Sequence, residues 1–269
     1  MNDKVRFDSL FVYGVVYLIF IYAPVVLIVI FSFNNGLYVA FPFKGVTVKW
    51  YYDMIHNAGL GKALWVSLRI ALFVSVLSTI LGVLGAKAVT RYYMPGVKTI
   101  LFLIMLPLVI PTIIFAIGLL IILTKFIGAQ PSTWSVIAGH VLLCVPFSMA
   151  VLMSRLQGFD KNLEEASLDL GQNAWQTFWR VTFPLAMPGI VASVLLCFTT
   201  SFDEYLIAAF LSGNDATLPV YIFSQLRFPS KLPGTLALGS CILVISFFIV
   251  TFAEWMRRKG VNPDSGMGI

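Results

Sequence analysis

The sequence predicts an all-α membrane protein with six transmembrane helices and one polar, two-helix element between the fourth and the fifth. Three observations carry that expectation. Mean hydropathy is +0.92, with 59% hydrophobic and only 11% charged residues, far outside the range of water-soluble domains. Six apolar segments recur along the chain, each close to the roughly 20 helical residues that a hydrocarbon core of about 30 Å requires. Between the fourth and fifth, residues 155–187 turn polar and carry paired helix-start signals.

Taken in order, Leu10 to Phe33 is free of charge and long enough to span, and no small-residue cleavage site follows it, so it reads as a retained first span. A loop from Asn34 to Lys62 contains Val48-Lys49-Trp50-Tyr51-Tyr52, whose rings suit a membrane interface. The second span, Ala63 to Ala86, is interrupted only by Arg69. The third, Thr99 to Thr124, contains Pro107 and Pro111, which remove backbone hydrogen bonds and predict a kink. Kinked helices suit a gated pathway and also occur in static bundles. The fourth span is Trp134 to Ser154, and the fifth, Pro188 to Leu211, holds Asp203 and Glu204 in its outer half. In the loop from Gly213 to Pro233, Leu218, Tyr221, Ile222 and Leu226 recur at helical spacing and predict an interfacial or re-entrant helix. Thr235 to Ala253 is the last span, followed by Arg257-Arg258-Lys259 and a Gly/Pro-bearing tail expected to be flexible. The whole chain, residues 1–269, reads as a single transmembrane domain.

Basic residues fix the expected orientation. With both termini inside, eleven fall on the inner side: Lys4, Arg6, Lys87, Arg91, Lys98, Arg155, Lys161, Arg180, Arg257, Arg258 and Lys259. Six fall outside: Lys44, Lys49, Lys62, Lys125, Arg227 and Lys231. This positive-inside bias puts both termini and the 155–187 element in the cytoplasm.

Composition also excludes functions. The net charge of +6 is scattered over loops and forms no run that tracks a phosphate backbone, so no nucleic-acid partner is expected. Cys144, Cys197 and Cys241 lie inside apolar segments without CxxC spacing and read as packing residues. The two histidines, His56 and His140, are too far apart in sequence for a helical ligand pair; His140 reads as a packing or hydrogen-bonding residue. The chain contains no phosphate-binding loop and no nucleophile elbow. No catalytic residue, metal site or cofactor is expected.

Within 155–187, Asn162 stands three residues before Glu165, and Asn173 three before Gln176, which are two Asn-x-x-Glu/Gln capping boxes. Gly171 falls between them, where a residue tolerating positive φ lets one helix stop before the next begins. The expected product is a rigid knob with Asp160, Glu164, Glu165 and Asp169 on a polar surface and Trp175, Phe178 and Trp179 as anchors for a partner. An ordinary amphipathic hairpin between two spans is the plainer alternative. The spacing Glu165-Ala166-Ser167, Gly171, Val181-x-Phe183-Pro184 resembles the cytoplasmic signature E-A-A-x3-G-x9-I-x-L-P of permease subunits of bacterial ABC importers. Ser167, Val181 and Phe183 depart from it conservatively. The resemblance implies a permease of the bacterial cytoplasmic membrane without its own ATPase site. Its coupling element, with Glu165, Ala166, Gly171 and Pro184, would dock on a separate cytoplasmic ATP-binding subunit. It also implies a second permease subunit, homologous or identical, and a periplasmic or extracellular substrate-binding protein; membrane lipid is the remaining partner.

For the solute, carboxylates at membrane depth are costly and mark a pathway or an ion pair. Along their helices Asp203 and Arg69 reach similar depths, so an Arg69 salt bridge to one of Asp203 and Glu204 is expected, leaving the other for the pathway. The run Ser201-Phe202-Asp203-Glu204-Tyr205 resembles the Phe-Asp-acidic run of the spermidine/putrescine permease group. It implies a cationic polyamine substrate, with Asp203, Glu204 and Tyr205 on the pathway. Importers of iron(III), anions or amino acids are alternatives, and an ion-coupled secondary carrier is a competing class.

Overall fold

The computed structural model describes the backbone of residues 9–260 and the side chains of residues 10–248 and Thr251. Lys4, Arg6, the tail from Val261 and the side chains of Arg257, Arg258 and Lys259 lie outside the described residues. The described residues fold as twelve α-helices, α1 Ser9–Ser32, α2 Lys49–Ile55, α3 Ala58–Arg91, α4 Val97–Val109, α5 Thr112–Ile121, α6 Thr133–Gln157, α7 Asn162–Asp169, α8 Ala174–Thr177, α9 Phe183–Asp203, α10 Leu206–Leu211, α11 Leu218–Gln225 and α12 Leu232–Gly260. Wider π turns extend α5 over Ile122–Ile127 and join α8 to α9 over Phe178–Thr182. No strand longer than an isolated bridge, Asn34 to Val46, occurs among the described residues.

Among the described residues, five stretches are long and apolar enough to cross a membrane: Leu10–Ser32, Ala58–Arg91, Thr133–Gln157, Ala174–Asp203 and Pro229–Phe248. The expected third span differs. Its two halves, α4 and α5 with its π turn, meet at 105° instead of forming one kinked rod. Ile110 is extended (φ −74°, ψ 130°) because it precedes Pro111, which disfavours the helical region for the residue before it, and Pro111 offers no N–H to carry the ladder across. The fifth span also ends earlier than expected, at Asp203; Glu204 is extended (φ −71°, ψ 114°) and a separate short helix, α10, follows.

The chain divides into two compact units. In the unit formed by Met1–Ala58 with Ile222–Ile269, α1 packs along α12 and α2 packs on α12. The long first loop is more ordered than its polarity suggested. Trp50, expected at an interface, is buried, and its indole Nε1–H donates to the Asn34 carbonyl at 2.8 Å. The Tyr51 hydroxyl sits between Ser32 Oγ (2.6 Å) and Ser240 Oγ (2.8 Å), joining α1, α2 and α12 by hydrogen bonds in a region where water is scarce.

In the unit Gly59–Tyr221, α6 lies along α9, and the core gathers Val66, Ile70 and Val74 of α3 with Val136, Cys144, Cys197, Ile207 and Leu211. Small residues let these helices approach. A Cβ placed on Gly82 would collide with Ser148 Oγ, so α3 and α6 meet where a side chain is missing. Around that contact runs a buried hydroxyl chain: Ser193 Oγ donates to Ser148 Oγ at 2.7 Å and shares a hydrogen bond with Thr79 Oγ1 at 3.0 Å. His140, fully buried, places Nδ1 2.8 Å from Ser201 Oγ, which ties α6 to α9 again. Cys144 and Cys197 are free thiols that exchange S–H···O=C contacts across the same interface.

Candidate functional site

The 155–187 stretch contains the two expected short helices, α7 and α8, called the knob below, with one of the two expected capping boxes in place. Asn173 Oδ1 accepts the Gln176 N–H at 2.9 Å, and Gln176 Oε1 accepts the Asn173 N–H at 3.0 Å. The Asn162–Glu165 box does not form. Asp160 Oδ1 takes the Asn162 N–H at 3.0 Å and Asp160 Oδ2 takes the side-chain amide at 3.2 Å, so a carboxylate two residues upstream occupies the donor that Glu165 would have accepted. Gly171, with φ +83°, closes α7. The Gln172 N–H reaches back to the Ser167 carbonyl and the Gly171 N–H to the Leu168 carbonyl, the Schellman pattern that satisfies the last free carbonyls of a helix.

Two departures from expectation tie the two short helices together and to their surroundings. Ser167, which replaces the second alanine of the signature, is buried, and its Oγ shares a 3.0 Å hydrogen bond with Thr177 Oγ1 across the two short helices. Glu164, expected on the polar surface, instead turns inward and is only 13% exposed. Its Oε1 accepts from Thr182 Oγ1 at 2.8 Å and lies 3.4 Å from Nε of Arg91, whose side chain is 6% exposed and lies over the Phe159 ring at 4.9 Å. One carboxylate oxygen thus joins α7, the end of α3 and the π turn before α9. Sequence reasoning assigned Arg91 to topology alone. The available signal was the doublet Glu164-Glu165: neighbours on a helix point about 100° apart, so one of the two tends to face inward.

The outer surface of the knob carries the signature residues. Glu165 and Ala166 are exposed, and the Glu165 side chain makes no hydrogen bond among the described residues. Leu170 is 84% exposed and Trp175 69% exposed, beside an edge-on Trp175–Trp179 pair and a close Trp179–Phe183 pair. Phe178 is not part of that free surface, because it is half-buried with the Lys87 ammonium 4.8 Å from its ring. Pro184 is exposed in the first turn of α9, directly after the π turn.

At the other end of α9, Asp203 and Glu204 have unlike surroundings. Glu204 Oε1 accepts the N–H groups of Leu206 (2.8 Å) and Ile207 (3.1 Å), capping α10 after the break. Asp203, one residue earlier, is exposed and has no hydrogen-bond or ion-pair partner among the described residues. Tyr205 follows, half-buried. The expected Arg69 salt bridge is absent. Depth agrees but direction does not, since Arg69 is exposed on a face of α3 lined by Phe73 and Trp134 while the Ser67 face is buried. The ion pair at this end is instead Lys62–Asp215, 2.9 Å apart. The Lys62 ammonium, with smaller help from Thr133 and Arg69, holds the Asp215 carboxyl below the usual carboxylate range.

The pattern described for the binding-protein-dependent transport system inner membrane component matches residues 78–260, from the middle of α3 through α12, and so takes in both the knob and the Asp203 break. The chain belongs to this family. As an inner membrane component of a transport system, it is a multi-pass permease subunit. It is 32% identical over 251 residues to the spermidine/putrescine transport system permease protein PotC of Escherichia coli (strain K12), covering 92% of this chain and 93% of the relative. It is 33% identical over 256 residues to the putrescine transport system permease protein PotI of the same strain, covering 90% and 91%. Among solved structures, its fold is similar to a bacterial ABC transporter involved in import of the acidic polysaccharide alginate (TM-score 0.71, 18% identity, 93% and 99% coverage). It is also similar to the MetNI methionine ABC transporter (TM-score 0.56, 18% identity, 81% and 100% coverage).

In this permease the Glu164–Arg91 contact is expected to be strongly coupled, because removing either partner strands the other charge in a nearly dry site. Glu164→Ala and Arg91→Ala should each lower stability by about 3 kcal/mol, and the double variant should lose much less than the sum. Thermal unfolding of the four proteins in one detergent measures this; strict additivity would show that the contact is incidental.

Proposed function

We propose that this chain lines half of the translocation path of an ATP-driven importer whose solute is a linear cationic polyamine of the putrescine or spermidine class. The observation that carries the reading is Asp203, an unpaired carboxylate at a helix break that ends the otherwise uncharged α9. At the depth it shares with Arg69, an exposed carboxylate suits the mouth of a water-filled path, and an ammonium group is its natural complement. An anionic solute would be repelled at the same point. The names of the relatives point the same way. Tyr205 adds an aromatic face beside the carboxylate, and aromatic faces attract alkylammonium groups. Glu204 shapes the opening by capping α10 and is not itself the ligand.

Both termini and the knob lie in the cytoplasm on this reading, as the eleven-to-six basic bias requires. The knob, through Glu165, Ala166, Gly171 and Pro184, docks on a separate ATP-binding subunit. A second permease chain completes the path, and a binding protein on the opposite side delivers the solute. Residues 1–269 work as one permease domain although they form two compact units. Closure of the ATPase pair moves the knob, and Glu164 passes that movement to α3 and α9.

Gly171→Val should leave the protein in the membrane yet separate it from the ATPase, because a β-branched residue is strained at φ +83° and the turn that orients α7 would shift. Copurification of the ATPase with tagged permease tests this, and undiminished recovery would count against the docking role. The solute reading is tested by uptake of labelled putrescine and spermidine, normalised to permease abundance. Asp203→Asn should reduce uptake at least about tenfold, the effect of losing roughly one charge-assisted contact. Glu204→Ala should instead lower the amount of folded protein, by loss of a cap of about 1 kcal/mol. Normal polyamine uptake by Asp203→Asn, or no polyamine uptake by the parent assembly, would remove the cation reading.

A further inference from the structure

Arg69 is the one charged residue that the second apolar span carries; it makes no salt bridge among the described residues and acts on the Asp215 carboxylate only at longer range, behind Lys62 and Thr133. Its position can be read along α3. Arg91, at the level of the knob, lies 22 residues further on, roughly 33 Å along the axis, about the thickness of a hydrocarbon core. Arg69 therefore stands at the membrane face opposite the knob. Two exposed tryptophans, Trp65 and Trp134, sit beside this level, as rings in an interfacial belt do. One turn or two above, Lys62 of α3 holds the Asp215 carboxylate at 2.9 Å and the Thr133 hydroxyl also bonds it, so the nearest carboxylate is already engaged.

Below Arg69 the surface of α3 is hollowed. One cavity of about 350 Å³ is lined by Arg69, Ile70, Phe73, Thr133, Trp134 and Ile137. A second, of about 620 Å³, shares Arg69 and Phe73 and continues along Leu72, Val76, Leu77 and Ile80. From Arg69 to Ile80 the groove runs roughly 16 Å along the helix, about half of a hydrocarbon core, the depth of a single leaflet. A cation and a hydroxyl at the interfacial end and purely apolar walls below them form a surface with a polar head and an apolar tail. That is the shape and charge pattern of a phospholipid.

We propose that this groove holds one phospholipid with a net anionic headgroup on each copy of the chain, its phosphate bonded to the Arg69 guanidinium and one acyl chain lying along Leu72, Phe73, Val76 and Ile80. The guanidinium offers paired N–H donors that match phosphate oxygens, and an anionic headgroup leaves no second cation to compete for them. Phe73 and Trp134, in edge-to-face contact at 5.8 Å, wall the site where headgroup gives way to chain. Bound lipid there would give the guanidinium a direct anionic partner next to hydrocarbon, where a charge is costly.

The test uses the assembled transporter, with its ATPase and second permease chain, purified in mild detergent and weighed by native mass spectrometry. The parent should retain phosphatidylglycerol in preference to phosphatidylcholine when both are supplied. Arg69→Gln should cut phosphatidylglycerol occupancy about fivefold and abolish the preference. Val76→Trp, which fills the groove while leaving the cation untouched, should cut occupancy of both lipids. In nanodiscs, phosphatidylglycerol should raise the thermal midpoint of the parent above its value in phosphatidylcholine and do nothing for Arg69→Gln. Equal occupancy in Arg69→Gln and the parent would overturn the proposal. So would a midpoint shift reproduced by inorganic phosphate alone, or a photo-crosslinker at Phe73 that captures a second permease chain instead of lipid.

Discussion

A single carboxylate, Glu164, holds the knob and the membrane-spanning helices of the Gly59–Tyr221 unit together. Its Oε1 meets Thr182 of the π turn that leads into α9 and Arg91 at the end of α3, while its backbone belongs to α7. Both ionic side chains are largely shielded from water, where attraction is strong and an unpaired charge is costly. The arrangement resists partial opening: α7 cannot swing away from α3 without exposing two charges to a site built for a pair. Ser167–Thr177 and the Gly171 turn stiffen the knob itself, so that the knob and the ends of two spans form one body.

From that body the two spans run in opposite directions, and their buried faces are linked again halfway by Thr79, Ser193 and Ser148. Hydroxyl pairs of this sort are suited to a bilayer interior, where small residues allow close approach and each polar group needs a protein partner. At the far end the order breaks. α9 stops at Asp203, Glu204 spends its carboxylate on the first N–H groups of α10, and Asp203 is left without a partner among the described residues. The bend between α4 and α5 is a second interruption in the same unit. Interrupted helices at membrane depth occur where backbone is buried in protein or lines a cavity, and both breaks fall beside α6 and its packed core.

Much of this was legible in the residues, for reasons that can be named. Charge-free runs of helix length betray spans because lipid tolerates little else, and the Asn173–Gln176 box and Gly171 are short-range devices whose partners lie within a few residues. What escaped depends on distant or angular relations. Asn162 carried the same local signal as Asn173, but Asp160 lay close enough to take its N–H groups. Pro107 and Pro111 announced a disturbance in the third span, while its size, 105°, depends on the chain being free to leave the helical region at Ile110. Arg69 and Asp203 matched in depth, yet depth is one coordinate; the face each helix turns to its neighbours decides contact, and Arg69 faces away. The Glu164–Arg91 pair spans 73 residues, and no local pattern reveals a pairing at that range.

The central claim is that the knob and α3 move as one body because Glu164 binds them. Spin labels at Leu170 on the knob and Leu84 on α3, both exposed, measure this in the assembled transporter by pulsed electron paramagnetic resonance in the presence of ADP and of a non-hydrolysable ATP analogue. The account predicts one narrow distance distribution that stays put between the two nucleotide states in the parent and broadens in Glu164→Ala. A Leu170–Leu84 distance that changes with nucleotide in the parent, or that stays narrow without Glu164, would contradict it.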